Sequence, residues 1–178
     1  VSISGPELDN RKVMELLKGP RNTKVRVGVP RGEELKHILL KRDRIPIHSV
    51  VSDFAVDSDR GYIKIVRFAQ NTADEFEEAM VRLEEAGLSQ VIIDLRGNGG
   101  GYLNAVVPMV ESFLKKDQLV VYTEGEHVPR RTYKARRDGR WMDWDVAVLV
   151  DESSASASEI FAGAIQDQDR GVVVGRRS

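Results

Sequence analysis

The chain has 178 residues, of which 41% are hydrophobic and 31% charged, with a formal net charge of −1. That balance can bury a core and offers no bulk charge for nucleic acid. The sequence contains no cysteine, so disulfides, a thiolate nucleophile and cysteine-based metal sites are excluded, and no apolar run is long enough to span a membrane.

The chain opens at Val1 without Met and reads as a piece of a longer protein, so missing targeting signals carry no information. Residues 1–44 are basic and built of short elements. Val13, Leu16 and Leu17 share one face of a helix that Gly19-Pro20 ends. Lys24 to Val29 alternates as a half-buried strand, Pro30 to Glu34 is a turn, and Leu35 to Leu40 returns as the second arm of a hairpin. One helix and one hairpin are too little for an independent core. The charged, proline-marked run Arg42-Asp43-Arg44-Ile45-Pro46-Ile47 is the best boundary, which gives a second domain over 45–178.

Gly61 to Phe68 reads as a strand. Thr72-Ala73-Asp74-Glu75 reads as a capping box opening a helix, with Phe76, Ala79, Met80 and Leu83 on its core face and Glu78 paired to Arg82. Gly87 ends that helix. Val91 to Leu95 is a nearly all-apolar strand, as expected in a sheet covered on both faces. Leu103, Val106, Val107, Val110, Phe113 and Leu114 mark a further helix, with Pro108 in its first turns or at a kink. Leu119–Thr123 and Arg131–Arg136 pair around Glu124-Gly125-Glu126. Val146–Val150, a helix after the serine segment, and Gly171–Val174 complete an α/β layout with a largely parallel sheet.

Two loops stand out. Arg96-Gly97-Asn98-Gly99-Gly100-Gly101 lies between a buried strand and a helix. One glycine would serve a tight turn; four favour close backbone approach to a ligand, with N–H groups aimed at negative charge. A phosphate loop would need a following Gly-Lys-Ser/Thr, and a dinucleotide fingerprint fails because Tyr102 stands where its third glycine belongs. The remaining use is one wall of an oxyanion hole. The second loop, Asp151-Glu152-Ser153-Ser154-Ala155-Ser156-Ala157-Ser158-Glu159, joins a strand to a helix. It fits a plain capping box, and equally a serine nucleophile raised to a helix N-terminus.

A serine needs a base within reach. His37, His48 and His127 all fall in loops or the basic hairpin, so a triad of Ser156, His127 and Asp94 is a weak alternative. No His or carboxylate grouping has metal-ligand spacing, and no cofactor is expected. The lysines read as exposed, so none is an evident neutral base.

Leu95-Arg96-Gly97-Asn98-Gly99-Gly100-Gly101 resembles the L-R-x-N-x-G-G loop of the C-terminal processing, or tail-specific, proteases. Val148 to Asp167 is similar to their nucleophile segment, Gly171 to Gly175 to the strand after it, and Gly61 to Ile65 to the first strand of their core. Leu16 to Val25 is similar to the second half of their PDZ domain. The resemblance implies a Ser/Lys peptidase with a crotonase/ClpP-like core, a largely parallel sheet and flanking helices, acting on protein or peptide substrates with exposed, unstructured C-termini in the bacterial cell envelope, periplasmic or membrane-anchored. It assigns Ser156 as nucleophile, Ala157 with Gly99, Gly100 or Gly101 as the oxyanion hole, and Asp167 as an acidic residue near the site or a solvated helix end. The family's lysine follows the serine by roughly 25 residues in F-G-K-G. That point lies past Ser178, so the 178-residue piece is expected to be inactive by itself. The competing class is a non-catalytic ligand- or peptide-binding module of the same fold.

Overall fold

The computed structural model describes residues 9–32, 34–43 and 48–178; the expected turn residue Glu33 and linker residues Arg44, Ile45, Pro46 and Ile47 lie outside them. The chain divides into two units, residues 1–47 and 48–178. In the first unit, α1 (Asn10–Leu17) is capped by Asp9, whose carboxylate accepts the Lys12 amide at 2.8 Å. The antiparallel strands β1 (Lys24–Arg31) and β2 (Glu34–Lys41) pair from Lys24↔Lys41 to Arg31↔Glu34. They therefore run through Pro30 and Arg31, which the sequence assigns to the turn. Arg42 ties the helix to the hairpin: its guanidinium donates to Leu17 O at 2.7 Å and Leu16 O at 3.1 Å, orphan carbonyls of the helix end.

The second unit is built on a five-stranded sheet whose strands, in spatial order, are 50–55, 60–65, 90–94, 145–150 and 171–175. β3 (Val50–Ala55) runs antiparallel to β4 (Arg60–Ile65) at one edge. β5 (Gln90–Asp94), β8 (Asp145–Val150) and β9 (Gly171–Gly175) continue parallel to β4. β3 has no counterpart in the sequence reading, and β4 ends at Ile65 instead of Phe68. α2 (Thr72–Glu85), α3 (Leu103–Glu111) and α4 (Ala157–Asp167) pack together over one sheet face, burying Ile63, Ile65, Val91, Ile93, Val146 and Val148. The other face is only partly covered among the described residues: Asp94 on it is buried and Tyr62, Ile92 and Ala147 are half-buried, while Phe54 and Val172 at the two edges of that cross-strand row are exposed. The expectation of a sheet covered on both faces is corrected to that extent.

Three local expectations give way to tertiary partners. Thr72 is not an N-cap: Asn71 holds that place, Thr72 is fully buried, and its hydroxyl accepts the Ala69 amide at 2.8 Å. Glu75, freed from a capping box, accepts the amides of Ser49 at 2.7 Å and Val50 at 3.0 Å and so pins β3. Arg82 passes over Glu78 and forks onto Asp53 at 3.0 and 2.9 Å, because a bidentate carboxylate outweighs an exposed helical pair. Gly87 does end α2, at a φ of +84°, with the Leu88 and Gly87 amides returning to Leu83 and Glu84 carbonyls.

α3 stops at Glu111, and Phe113 and Leu114 follow in a turn. The ribbon β6 (Leu119–Gly125) and β7 (Val128–Lys134) turns at Glu126-His127, two residues later than expected. Phe113 is the hub of the core, with ring centroids 6.0 Å from Phe76, 6.3 Å from Phe161 and 6.5 Å from Trp141. Truncating it leaves a cavity that three rings on separate elements cannot close. Phe113→Ala is expected to cost about 3–5 kcal/mol in urea unfolding; a loss below about 1 kcal/mol would show that the cluster does not bear the core.

Candidate active site

Parallel pairing of β5 with β8 brings their carboxyl ends side by side, with Asp94 opposite Leu149 and the Leu95 amide donating to Leu149 O at 2.9 Å. The glycine loop leaves one strand and the serine turn leaves the other, so the two meet at the sheet end where α/β ligand sites form. Three polar staples join them. Asp151 Oδ1 accepts the Gly97 amide at 2.9 Å and the Ser153 amide at 3.0 Å. The buried Ser154 hydroxyl donates to Leu95 O at 2.9 Å and accepts the Asp151 amide at 3.0 Å. The buried Ser158 hydroxyl donates to Asn98 O at 2.8 Å, and the Ala155 amide reaches that same carbonyl at 3.1 Å. Asn98, itself fully buried, donates from Nδ2 to Ile65 O at 3.0 Å and accepts the Gly100 amide on Oδ1 at 2.9 Å.

Ser154 and Ser158 thus spend their hydroxyls on structure, and Ser156 between them is exposed. Its backbone sits at φ 54° and ψ −111°, a region non-glycine residues rarely adopt, at a cost of about 1–3 kcal/mol. The Glu159 carboxylate holds it there by accepting the Ser156 amide at 2.8 Å. Gly100, at φ +97°, is where the loops touch: a Cβ on it would stand 2.8 Å from Ser156 Cβ and 3.0 Å from Ala157 N. Only glycine fits. Gly101 is equally constrained, its absent Cβ falling 2.1 Å from Phe68 O, while the Phe68 amide binds Gly100 O at 3.0 Å and the Tyr102 amide binds Phe68 O at 2.8 Å.

Of the expected oxyanion donors, Gly100 has its N–H committed to Asn98. Among the described residues, the amides of Gly99, Gly101 and Ala157 meet no acceptor. Ala157 is fully buried, and an orphaned buried N–H is costly unless a ligand or water satisfies it.

The other candidates do not gather here. Asp167 is the exposed last residue of α4, roughly 15 Å along the helix axis from Ser156. His127 is exposed in the β6–β7 turn. Asp94 is buried and saturated: it accepts from Tyr62 Oη at 2.6 Å, Lys64 Nζ at 3.1 Å, and Arg96 through its amide at 2.9 Å and its guanidinium at 2.7 Å. Burial pushes its carboxyl up, but the hydrogen bonds from Arg96, Tyr62 and Lys64 outweigh that and hold it far below the ordinary carboxylate range. Lys64 Nζ also donates to Arg96 O at 2.5 Å, so its nitrogen is engaged away from the serine turn by Asp94 and Arg96. No group of three potential metal ligands occurs among the described residues. The sequence reading missed Asn98, Asp151, Ser154 and Ser158 as staples. Their only signal was polar residues set among glycines and alanines next to buried strands.

The Gly97 amide, more than any other partner, draws the Asp151 carboxyl below its usual value, with the Ser153 amide adding to it. A carboxyl lowered on folding stabilises the fold above its unfolded pKa of about 3.9 and loses that contribution as pH falls through the folded value. Stability is therefore expected to decline below about pH 4, and Asp151→Asn to flatten that decline in unfolding measured from pH 7 to 2. An unchanged acid limb in Asp151→Asn would remove Asp151 from the account.

The profile of Peptidase family S41 matches residues 59–178. A "Probable CtpA-like serine protease" of Staphylococcus saprophyticus is 34% identical over 180 residues, covering 99% of this chain and 35% of that protein. One of Staphylococcus haemolyticus is 34% identical over 178 residues, with the same coverage. The chain thus spans about a third of the length of these curated relatives. Among solved structures, a photosystem II D1 C-terminal processing protease is similar at a TM-score of 0.62 and 25% identity, over 90% of this chain and 45% of that one. The fold is a mixed α/β arrangement with a mostly parallel central sheet and flanking helices, as in those proteases, and the chain belongs to peptidase family S41.

Proposed function

We propose that the longer protein is a serine endopeptidase that cleaves polypeptides near unstructured C-termini. Ser156 is its nucleophile. Ala157 N–H and the amide of Gly101 or Gly99 form the oxyanion hole, and a lysine outside residues 1–178 is the base. The observation that carries this reading is the contact at Gly100: the exposed Ser156 hydroxyl and the acceptor-free Ala157 amide lie against the glycine loop. Ser178 Oγ lies 3.2 Å from Glu159 Oε1, so the residues nearest that end of the chain run beside the serine turn. A lysine entering from there would be close to the nucleophile.

In the proposed reaction Ser156 Oγ attacks the scissile carbonyl carbon while the neutral lysine takes the hydroxyl proton. The carbonyl oxygen becomes an oxyanion held by the two amides. Collapse breaks the C–N bond, and the lysine returns the proton to the leaving amine. Water, deprotonated by the same lysine, then releases the acyl group. The lysine has to be neutral, which burial favours by disfavouring its charged form. The alternative triad with His127 finds little support, since the Asp94 carboxylate is committed to Tyr62, Lys64 and Arg96.

Residues 1–44 are proposed as the C-terminal half of a PDZ-like domain, and the bacterial cell envelope as the place of action, both on the resemblance. Among the described residues no helix is long and apolar enough to cross a membrane.

Ser156→Ala in the longer protein is expected to lower kcat for a tailed substrate by at least about a thousandfold, with an unchanged circular dichroism spectrum. The 178-residue chain alone is expected to give no turnover above background. Undiminished cleavage by Ser156→Ala would refute the nucleophile, and robust cleavage by the short chain would refute the external base.

A further inference from the structure

We infer that Lys64 and Asp94 are positioning residues for the reaction: together they clamp the first two peptide planes of the glycine loop and so set the loop amides against Ser156. This rests on the reading of Ser156 as nucleophile. Asp94 is the last residue of β5, and Lys64 is its partner in register on β4, so both stand at the sheet end where the loop begins.

The clamp is visible peptide by peptide. In the Leu95–Arg96 peptide, the N–H donates to Asp94 Oδ1 at 2.9 Å and the carbonyl accepts the Ser154 hydroxyl at 2.9 Å. In the Arg96–Gly97 peptide, the carbonyl accepts Lys64 Nζ at 2.5 Å and the N–H donates to Asp151 Oδ1 at 2.9 Å. Each plane is held at one end by the Lys64–Asp94 pair and at the other by the serine turn. Rotating either plane breaks a bond at both ends. Lys64 Nζ joins the two holds, because it also donates to Asp94 Oδ1 at 3.1 Å. The carboxylate is itself locked, its Oδ2 accepting Tyr62 Oη at 2.6 Å and the Arg96 guanidinium at 2.7 Å.

The sheet does not need this pair for its packing. Ile92, Ala147 and Leu149, the neighbours of Asp94 on that face, are apolar, and an apolar replacement for a buried ion pair is often no less stable. What an apolar pair cannot supply is an acceptor for the Arg96 N–H and a donor for the Arg96 carbonyl. Three residues past the clamped planes, Gly100 meets Ser156, flanked by the acceptor-free amides of Gly99 and Gly101. A tilt at the base of so short a loop moves those amides, and small misplacements of oxyanion donors are expensive in rate.

The test is made in the longer protein with a tailed peptide substrate, and active sites are counted by complete fluorophosphonate titration so that kcat refers to competent enzyme alone. Lys64→Met keeps the stem and loses the ammonium; it is expected to lower kcat per active site about tenfold with KM within about twofold of wild type. Lys64→Arg, which can still donate to both oxygens, is expected to recover most of that loss. Asp94→Asn is expected to show the same split with a larger fall in kcat. Where Asp94→Asn does not fold, its carboxylate being 2% exposed, Lys64→Met carries the test, its side chain being 22% exposed. A pair that served stability alone would lower Tm and the number of active sites and leave kcat per site as it is. Unchanged kcat per site in Lys64→Met, a KM that rises as far as kcat falls, or no recovery in Lys64→Arg would overturn the inference. Ser156→Ala run alongside separates this failure from that of the underlying reading, since full turnover there removes the nucleophile whatever Lys64 does.

Discussion

The carbonyl oxygen of Asn98 receives two bonds from the serine turn, one from the Ala155 amide and one from the Ser158 hydroxyl, and these hold the two loops in one place. Ser158 is fully buried and Ala155 half-buried; each bond is worth about 1 kcal/mol net, while leaving a buried group unpaired would cost about 1–3 kcal/mol. That asymmetry makes the junction specific as well as stable. Slipping the turn by one residue would replace the Ser158 hydroxyl with a residue that cannot donate in the same way to the buried Asn98 O. The sheet contributes the alignment, since parallel pairing of β5 and β8 delivers both loops to the same end. The staples then convert neighbouring loops into one rigid wall.

Strain enters on top of that rigidity. Ser156 occupies a positive-φ conformation at the mouth of α4, and the helix, the Glu159 carboxylate and the neighbouring staples together keep it there. The glycines belong to the same construction. Gly100 and Gly101 are required because backbone and side-chain atoms already fill the space their Cβ atoms would take. The result is an exposed serine with acceptor-free amides beside it on a backbone held in place. Preorganised donors of this kind stabilise developing negative charge without reorganisation when it appears.

Much of this could be read from the residues. The apolar periodicity of Phe76, Ala79, Met80 and Leu83 marks α2, and the strand–turn–helix rhythm marks β5 and β8, because those patterns are set locally. The glycine loop and serine turn were legible for the same reason, being dense in residues that ordinary turns do not need. What failed was whatever a distant partner decides. Val50–Ala55 is a short edge strand carrying Asp53, and it becomes β3 only because Glu75 and Arg82 reach across to it. Thr72 and Glu75 fit a capping box in sequence, yet each finds a stronger tertiary use. Ser154, Ser156 and Ser158 look alike in the chain. The choice of the exposed one is made by Leu95 and Asn98, 59 and 60 positions away from their partners. Of the two readings of Asp167, near the site or at a solvated helix end, its place as the exposed last residue of α4 fits the second.

We propose that the turn offers one reactive hydroxyl, at Ser156, while those of Ser154 and Ser158 are spent on structure. Peptide mapping by mass spectrometry, after treating the longer protein with a fluorophosphonate that acylates active serines, tests it most directly. A single adduct on Ser156 is expected, with Ser153, Ser154 and Ser158 unmodified. Stoichiometric modification of another serine with loss of cleavage, or full inactivation with Ser156 untouched, would contradict it.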